Sequence, residues 1–281
     1  MTKKAVLTTG VLTVLIAISA FFFYNVRADG KLDKKNYVQS TTPTLFFHGY
    51  GSSANAEQHM TNAAKKAGVT KTVIRANVDR NGAVTLRGDI PKGAINPIVE
   101  VNYEDNRNPI DVGNYAKAIV SKLQEKYGFT KMNMVGHSLG NMSILYYLLE
   151  HAQDENLPQL QKQVNIANFA AGLEAMGLPA YVKVDKTTGK PNQVTQTFQR
   201  LLPLREVFPQ NQIDVLNIYG DYKNGSDGSV LNASSRSLKY LVADNAKSYQ
   251  EKKIIGKLAQ HSQLHENPEV DKILIQFLWG K

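Results

Sequence analysis

Apolar residues first run without a charge over residues 5–26, then fall into short bursts separated by polar turns. Residues 43–47 form a strand-like burst that ends at His48-Gly49. Residues 72–78 alternate weakly, Asn81-Gly82 follows as a hairpin-turn signal, and 83–90 is the predicted partner strand. Residues 96–103 predict another strand. Asn108-Pro109 reads as a helix start, with Asn as cap and Pro in the first turn. Val112, Tyr115, Ala116, Ile119, Val120 and Leu123 then make one apolar stripe, which Gly128 ends. A short apolar-rich strand over 131–135 leads to a predicted helix over 141–152. Residues 164–171 read as a buried strand, and 172–209, with four prolines and mixed polarity, as an insertion over the sheet. Beyond it the pattern predicts a strand over 213–219, a helix over 232–242, a strand over 249–255 and a closing helix over 269–279. Strands alternating with helices at this spacing define an α/β class: a mostly parallel central sheet, helices on both faces, an added β-hairpin and a small insertion.

The charge-free run changes the picture of the N-terminus. Lys3 and Lys4 precede 22 uncharged residues, long enough to span a bilayer as a helix. Val26-Arg27-Ala28 has the small-residue spacing of a signal cleavage site. Residues 1–28 are therefore expected to be a transmembrane anchor or a cleaved export signal, 29–42 a polar linker and 43–281 one folded domain. A short basic tail ahead of an apolar run favours export, although Arg27, Lys31, Lys34 and Lys35 on the other flank oppose that orientation.

Composition removes several function classes. The 281 residues contain no cysteine, which excludes a thiol nucleophile, a thiolate metal site and a disulfide framework. Neither HExxH nor a phosphate-cradling glycine loop is present, so metal and nucleotide cofactors are not indicated. The net charge is +9. Its basic residues are scattered, as a solvated surface would have them, and are not gathered into a nucleic-acid tract. Attraction to anionic lipid or wall polymers stays open.

The chemistry centres on Gly136-His137-Ser138-Leu139-Gly140, set between the predicted strand and helix. Strand, Gly-x-Ser-x-Gly and helix make a nucleophile elbow, whose tight turn lifts the serine hydroxyl above the sheet edge. A serine hydroxyl needs a base to take its proton and an acid to orient that base. The acid is expected in the loop after the 213–219 strand, where Asp227 is preferred to Asp221. The base is expected between the last strand and the last helix, where His261 is preferred to His265. Oxyanion stabilisation needs two backbone N–H groups. Leu139, after the nucleophile, offers one, and Tyr50, in the His48-Gly49-Tyr50-Gly51 loop that His48 braces, the other. His137 reads as a packing and hydrogen-bonding residue, and His59 and His151 carry no assigned chemistry.

Together these residues resemble the α/β-hydrolase superfamily. More narrowly, the chain resembles a group of Gram-positive membrane-bound cell-surface hydrolases of unknown function. The likeness rests on Phe46-Phe47-His48-Gly49-Tyr50-Gly51-Ser52, Asn96-Pro97-Ile98-Val99, the elbow, Ser226-Asp227-Gly228 and residues 261–267. It is also similar to small bacterial lipases, whose catalytic histidine stands nine residues before the first apolar residue of the last helix, as His261 does before Val270. Asn141 departs from the second glycine that many relatives carry after the elbow. The resemblance implies a serine hydrolase acting on a small-molecule or lipid ester outside the membrane. A non-catalytic membrane-anchored binding protein, and an acyltransferase or amidase using the same triad, are the alternatives.

Overall fold

In the computed structural model, residues 31–281 are described. Eight strands form one sheet: β1 (Thr44–Phe47), β2 (Val73–Val78), β3 (Val84–Arg87), β4 (Ile98–Tyr103), β5 (Lys131–His137), β6 (Gln159–Ile166), β7 (Asp214–Asp221) and β8 (Ser248–Ile255). Their order is β3-β2-β4-β1-β5-β6-β7-β8, parallel throughout except for β3, the returning arm of the Asn81-Gly82 hairpin. The parallel strands therefore share one carboxyl edge, and every loop that leaves it can contribute to one site.

Alternation along the strands builds two cores. In β1, Leu45 and Phe47 join one apolar layer and Phe46 the other, all three essentially inaccessible to solvent. Helices α1 (Gln58–Lys66) and α8 (Pro268–Trp279) cover the Phe46 face. On the opposite face lie α2 (Val112–Tyr127) and α3 (Leu139–His151). Residue 172–209 helices α4 (Gln196–Leu201) and α5 (Leu204–Val207) join them, as do α6 (Asn232–Arg236) and α7 (Leu238–Val242). Phe198, Leu201, Leu204 and Phe208 are buried in that second layer, so part of the expected insertion belongs to the core. Local signals set the ends. The Asn267 side chain accepts from the Glu269 N–H to cap α8, Pro268 follows it, and Gly128 ends α2 in the left-handed region at φ 69.

Four boundaries differ from the sequence pattern, and one of them is β3, which covers Val84–Arg87 and not 83–90. Helix α2 starts at Val112 and not at Asn108. The Asn108 carboxamide oxygen instead accepts from the Ile110 and Asp111 N–H groups, making a turn that holds Pro109 outside the helix. Strand β6 runs over Gln159–Ile166 rather than 164–171. Its polar start hides the pattern, and Ala167 at φ 51 breaks the chain's direction while the apolar run continues. The helix expected over 232–242 is divided at Ser237, whose hydroxyl donates to the Ser234 carbonyl.

The polar stretch before β1 is bonded to the domain. Asp33 N–H donates to Gly68 O, Val38 N–H to Trp279 O, and Ser40 N–H to the Asn96 side chain. The expected anchor or signal over residues 1–28 lies outside the described residues. No helix among them is long and apolar enough to cross a membrane.

Candidate active site

Ser138 stands between β5 and α3 with φ 52 and ψ −118, a conformation that costs a non-glycine residue about 1–3 kcal/mol. The elbow glycines make it geometrically attainable. A Cβ on Gly140 would lie 2.0 Å from the Phe47 carbonyl oxygen, and one on Gly136 2.7 Å from the Asn141 nitrogen. Strand and helix therefore pack closely enough to turn the serine out over the carboxyl edge. Asn141 completes the turn: its Nδ2 donates to the carbonyls of Ser138 and Ile166 at 2.9 and 2.8 Å. A side-chain amide thus ties the elbow to β6.

The turn aims Ser138 at His261. Ser138 Oγ is 2.9 Å from His261 Nε2, and His261 Nδ1 is 2.8 Å from Asp227 Oδ2. A carboxylate only accepts, so the imidazole carries its proton on Nδ1 and presents a free Nε2 lone pair to the hydroxyl. Asp227 is 1% exposed, and its Oδ1 accepts from the Ser229 and Val230 N–H groups at 2.8 and 2.7 Å. Each oxygen of that carboxylate therefore has a separate task.

The two residues expected to supply oxyanion donors, Tyr50 and Leu139, adjoin Ser138. Leu139 opens α3, so its N–H has no helical partner. The Tyr50 loop lies against the serine: a Cβ on Gly49 would stand 3.2 Å from Ser138 Cβ. His48 braces this loop, donating from Nδ1 to Gly49 O at 2.8 Å while its Nε2 accepts from the Tyr103 N–H at 3.3 Å. Burial holds its imidazole below the usual pKa, consistent with that neutral tautomer. The Tyr50 side chain is exposed.

The less favoured residues lie elsewhere. Asp221 ends β7, where Oδ1 accepts from the Gly225 N–H and Oδ2 pairs with Lys253. His265 bonds Glu266 through Nδ1 at 3.1 Å and sets its ring edge-on to His137 at 4.7 Å. His137 donates from Nε2 to the His261 carbonyl at 3.0 Å. Burial first, then His261 and His265, hold its pKa well below the usual histidine value, so it serves as a neutral donor. His59 pairs with Asp271 on the other helix of its layer.

One residue gave no signal in the sequence. Glu57 lies in a 3-10 turn (Ala54–Glu57) that follows the Tyr50 loop, fully buried, and neither carboxyl oxygen has a partner among the described residues. Burial, reinforced by Glu100 and Glu266, raises its pKa well above the usual range, so the group is held protonated. Nothing in Ala54-Asn55-Ala56-Glu57 distinguishes it from a solvated glutamate.

The eight-stranded sheet and its elbow are those of an α/β hydrolase. The family model described as alpha/beta hydrolase of unknown function, DUF915, matches residues 31–281, and the chain belongs to that family. Among solved structures it is similar to the product of the gene lin2722 from Listeria innocua, with 26% identity over 85% of this chain and 94% of that one and a TM-score of 0.75. It also resembles a protein from Lactobacillus plantarum WCFS1 described as a candidate cell surface hydrolase, at 19% identity over 84% and 89% of the two chains and a TM-score of 0.67. No curated protein matches the chain.

Proposed function

We propose that the protein is a serine hydrolase of carboxylic esters that works outside the cytoplasmic membrane. The observation that carries this reading is the hydrogen-bonded line from Ser138 through His261 to Asp227, at 2.9 and 2.8 Å. Ser138 Oγ attacks the ester carbonyl carbon while His261 Nε2 takes the hydroxyl proton. Asp227 holds the imidazole in the reactive tautomer and stabilises the imidazolium. The Tyr50 and Leu139 N–H groups receive the oxyanion of the tetrahedral intermediate. Collapse of the intermediate breaks the C–O bond, and the alcohol leaves with the proton from His261. Water then repeats the sequence on the acyl-serine: His261 takes a proton from the water as it attacks the acyl carbon, the bond to Ser138 Oγ breaks to release the acid, and His261 passes that proton to Ser138 Oγ. The extracytoplasmic location is supported by the basic-then-apolar layout of residues 1–28 and by likeness to a protein described as a candidate cell surface hydrolase.

A fluorophosphonate probe on the purified full chain tests the reading. The wild type is expected to be labelled in a ratio near one per chain and to release p-nitrophenol from short-chain esters. Ser138→Ala is expected to do neither. A folded wild type that stays unlabelled and inert toward an ester series overturns it.

A further inference from the structure

Part of the positive charge behind the net +9 lies on the carboxyl edge, where Arg107 stands against Gly51 and Lys223 and Lys257 are exposed. A further part is gathered at the opposite edge of the sheet. Lys65 and Lys66 end α1 there, Lys71 lies two residues before β2, and Lys31, Lys34 and Lys35 arrive with the incoming chain. Hydrogen bonds bring these segments together: Asp33 N–H to Gly68 O at 2.9 Å, Gly68 N–H to Lys65 O at 3.0 Å, and Lys281 N–H to Asn36 O at 3.2 Å. Lys31, Lys34, Lys35, Lys65, Lys66 and Lys71 are all exposed, and among the described residues none forms an ion pair. Asp33 is the acid within this corner, and its carboxylate is occupied by Asn36 and the Lys35 N–H. Other acids sit elsewhere on the amino edge, and Glu206 beside Asp154 and Glu155 forms no ion pair among the described residues. Asp89 pairs with Lys126 and Asp214 with Lys247, while Asp154 and Glu155 lie in the loop between α3 and β6.

The same corner is where the chain enters the domain. Only residues 27–30 separate the apolar run from Lys31. Four extended residues reach at most about 14 Å, so the linker lets this edge approach a bilayer spanned by residues 5–26 to within a Debye length of about 8–10 Å. Ser138 is on the far side: β5 rises from Lys131 at the amino edge to His137, roughly 20 Å at strand spacing.

We propose that this lysine corner is a docking surface for the anionic phospholipid headgroups of the membrane that the N-terminal segment spans. Docking holds the domain upright with Ser138 facing away from that bilayer. The substrate then reaches the site from the side opposite the membrane, as an acyl ester carried by a soluble or wall-borne molecule. A lipid embedded in the same leaflet cannot reach it. The inference rests on the anchored reading of residues 1–28 and is independent of the chemistry of Ser138.

The chain has no cysteine, so one introduced thiol gives one label. The full chain, tagged at its N-terminus, is placed in phosphatidylglycerol or phosphatidylcholine vesicles carrying an acceptor dye at the headgroup. Donors are attached through Asn36→Cys at the lysine corner or Tyr181→Cys on the carboxyl-edge loops. The ratio of energy transfer from site 36 to site 181 is expected to be at least twofold higher on phosphatidylglycerol. High salt, or the combined Lys34→Glu, Lys35→Glu, Lys65→Glu and Lys66→Glu variant, is expected to bring it down to the phosphatidylcholine value. Melting by circular dichroism checks the fold of that variant, and since ester turnover is not read, an inactive enzyme leaves the test standing. Equal ratios on the two lipids overturn the proposal. So does a site 181 nearer the surface than site 36, or a chain that alkaline carbonate strips from the vesicles. Charge-dependent binding of polyphosphate without a lipid difference assigns the corner to a free polyanion and also overturns it.

Discussion

Replacing Asp227 with Asn probes the division of labour within one carboxylate. Oδ1 receives two backbone N–H groups, from Ser229 and Val230, and Oδ2 receives His261 Nδ1. An asparagine has a single acceptor oxygen, and its NH2 cannot accept. Two backbone donors outweigh one side-chain donor, so the carboxamide oxygen stays with Ser229 and Val230 and the NH2 turns to His261. The imidazole must then accept at Nδ1 and carry its proton on Nε2, where it meets Ser138 Oγ and cannot act as a base. The bond count is nearly preserved, so the melting temperature should move little. Turnover is expected to fall on the order of 10⁴-fold, about 5 kcal/mol of barrier, as the wrong tautomer does in other triads. The assay is kcat on a soluble p-nitrophenyl ester, with the melt recorded on the same sample. Asp221→Asn is the control, since Asp221 bonds Gly225 and Lys253 and not the imidazole, and it should retain most of its activity. A Asp227→Asn enzyme within tenfold of wild type, or an Asp221→Asn enzyme as impaired as it, would refute this assignment of the acid.

Gly140→Ala is expected to abolish soluble expression, because its Cβ would stand 2.0 Å from a backbone oxygen of β1 that cannot yield without moving the sheet. Gly49→Ala should keep the fold and lower kcat, as its Cβ would press on Ser138 at 3.2 Å, whereas Tyr50→Phe should leave kcat within about twofold because the proposed oxyanion donor is the Tyr50 backbone N–H and not its phenol. Glu57→Gln should gain stability over wild type as pH rises. The unfolded carboxyl loses its proton near 4.5 and the buried one only well above that, so wild-type stability declines upward from about that pH while the amide's does not, as melts at pH 5 and pH 8 can check. His137→Phe removes the donor to the His261 carbonyl and should cost about 1 kcal/mol in melts while lowering kcat more than KM.

The order of elements was legible because burial on both faces of a parallel sheet leaves continuous apolar runs, as in β1 and β5, with glycine and asparagine between them. The elbow was legible because its strand and helix adjoin it in sequence. The acid and base could be narrowed to two aspartates and two histidines, since chain order fixes which loops reach the carboxyl edge. What separates the members of each pair is not periodic. Asp227 differs from Asp221 by a buried turn that supplies two N–H groups to one of its oxygens, and His265 differs from His261 by a single 3-10 turn that rotates it onto His137. The missed features are of that kind. Asn108 caps a turn instead of a helix, Ala167 halts β6 by a backbone angle in an apolar run, and the raised pKa of Glu57 comes from burial and from Glu100 and Glu266, which lie far along the chain.

The alignment of the three side chains does not depend on their own hydrogen bonds. The His261 backbone is held twice: its N–H donates to the Asp227 carbonyl at 2.9 Å, and its carbonyl accepts from His137 at 3.0 Å. The Gln260 side chain caps the following turn through the Ser262 and Gln263 N–H groups. Ser138 is held by its N–H to Ile166 O and by Asn141 on its carbonyl. The Ser138 elbow, the Asp227 loop and the His261 loop are thus joined by backbone hydrogen bonds and by the His137 and Asn141 side chains. Removing the serine hydroxyl leaves each of these bonds in place, and the strain at φ 52 stays with the backbone that generates it. Ser138→Ala should therefore melt within about 1 kcal/mol of wild type, and loss of labelling in that variant reads out chemistry and not unfolding.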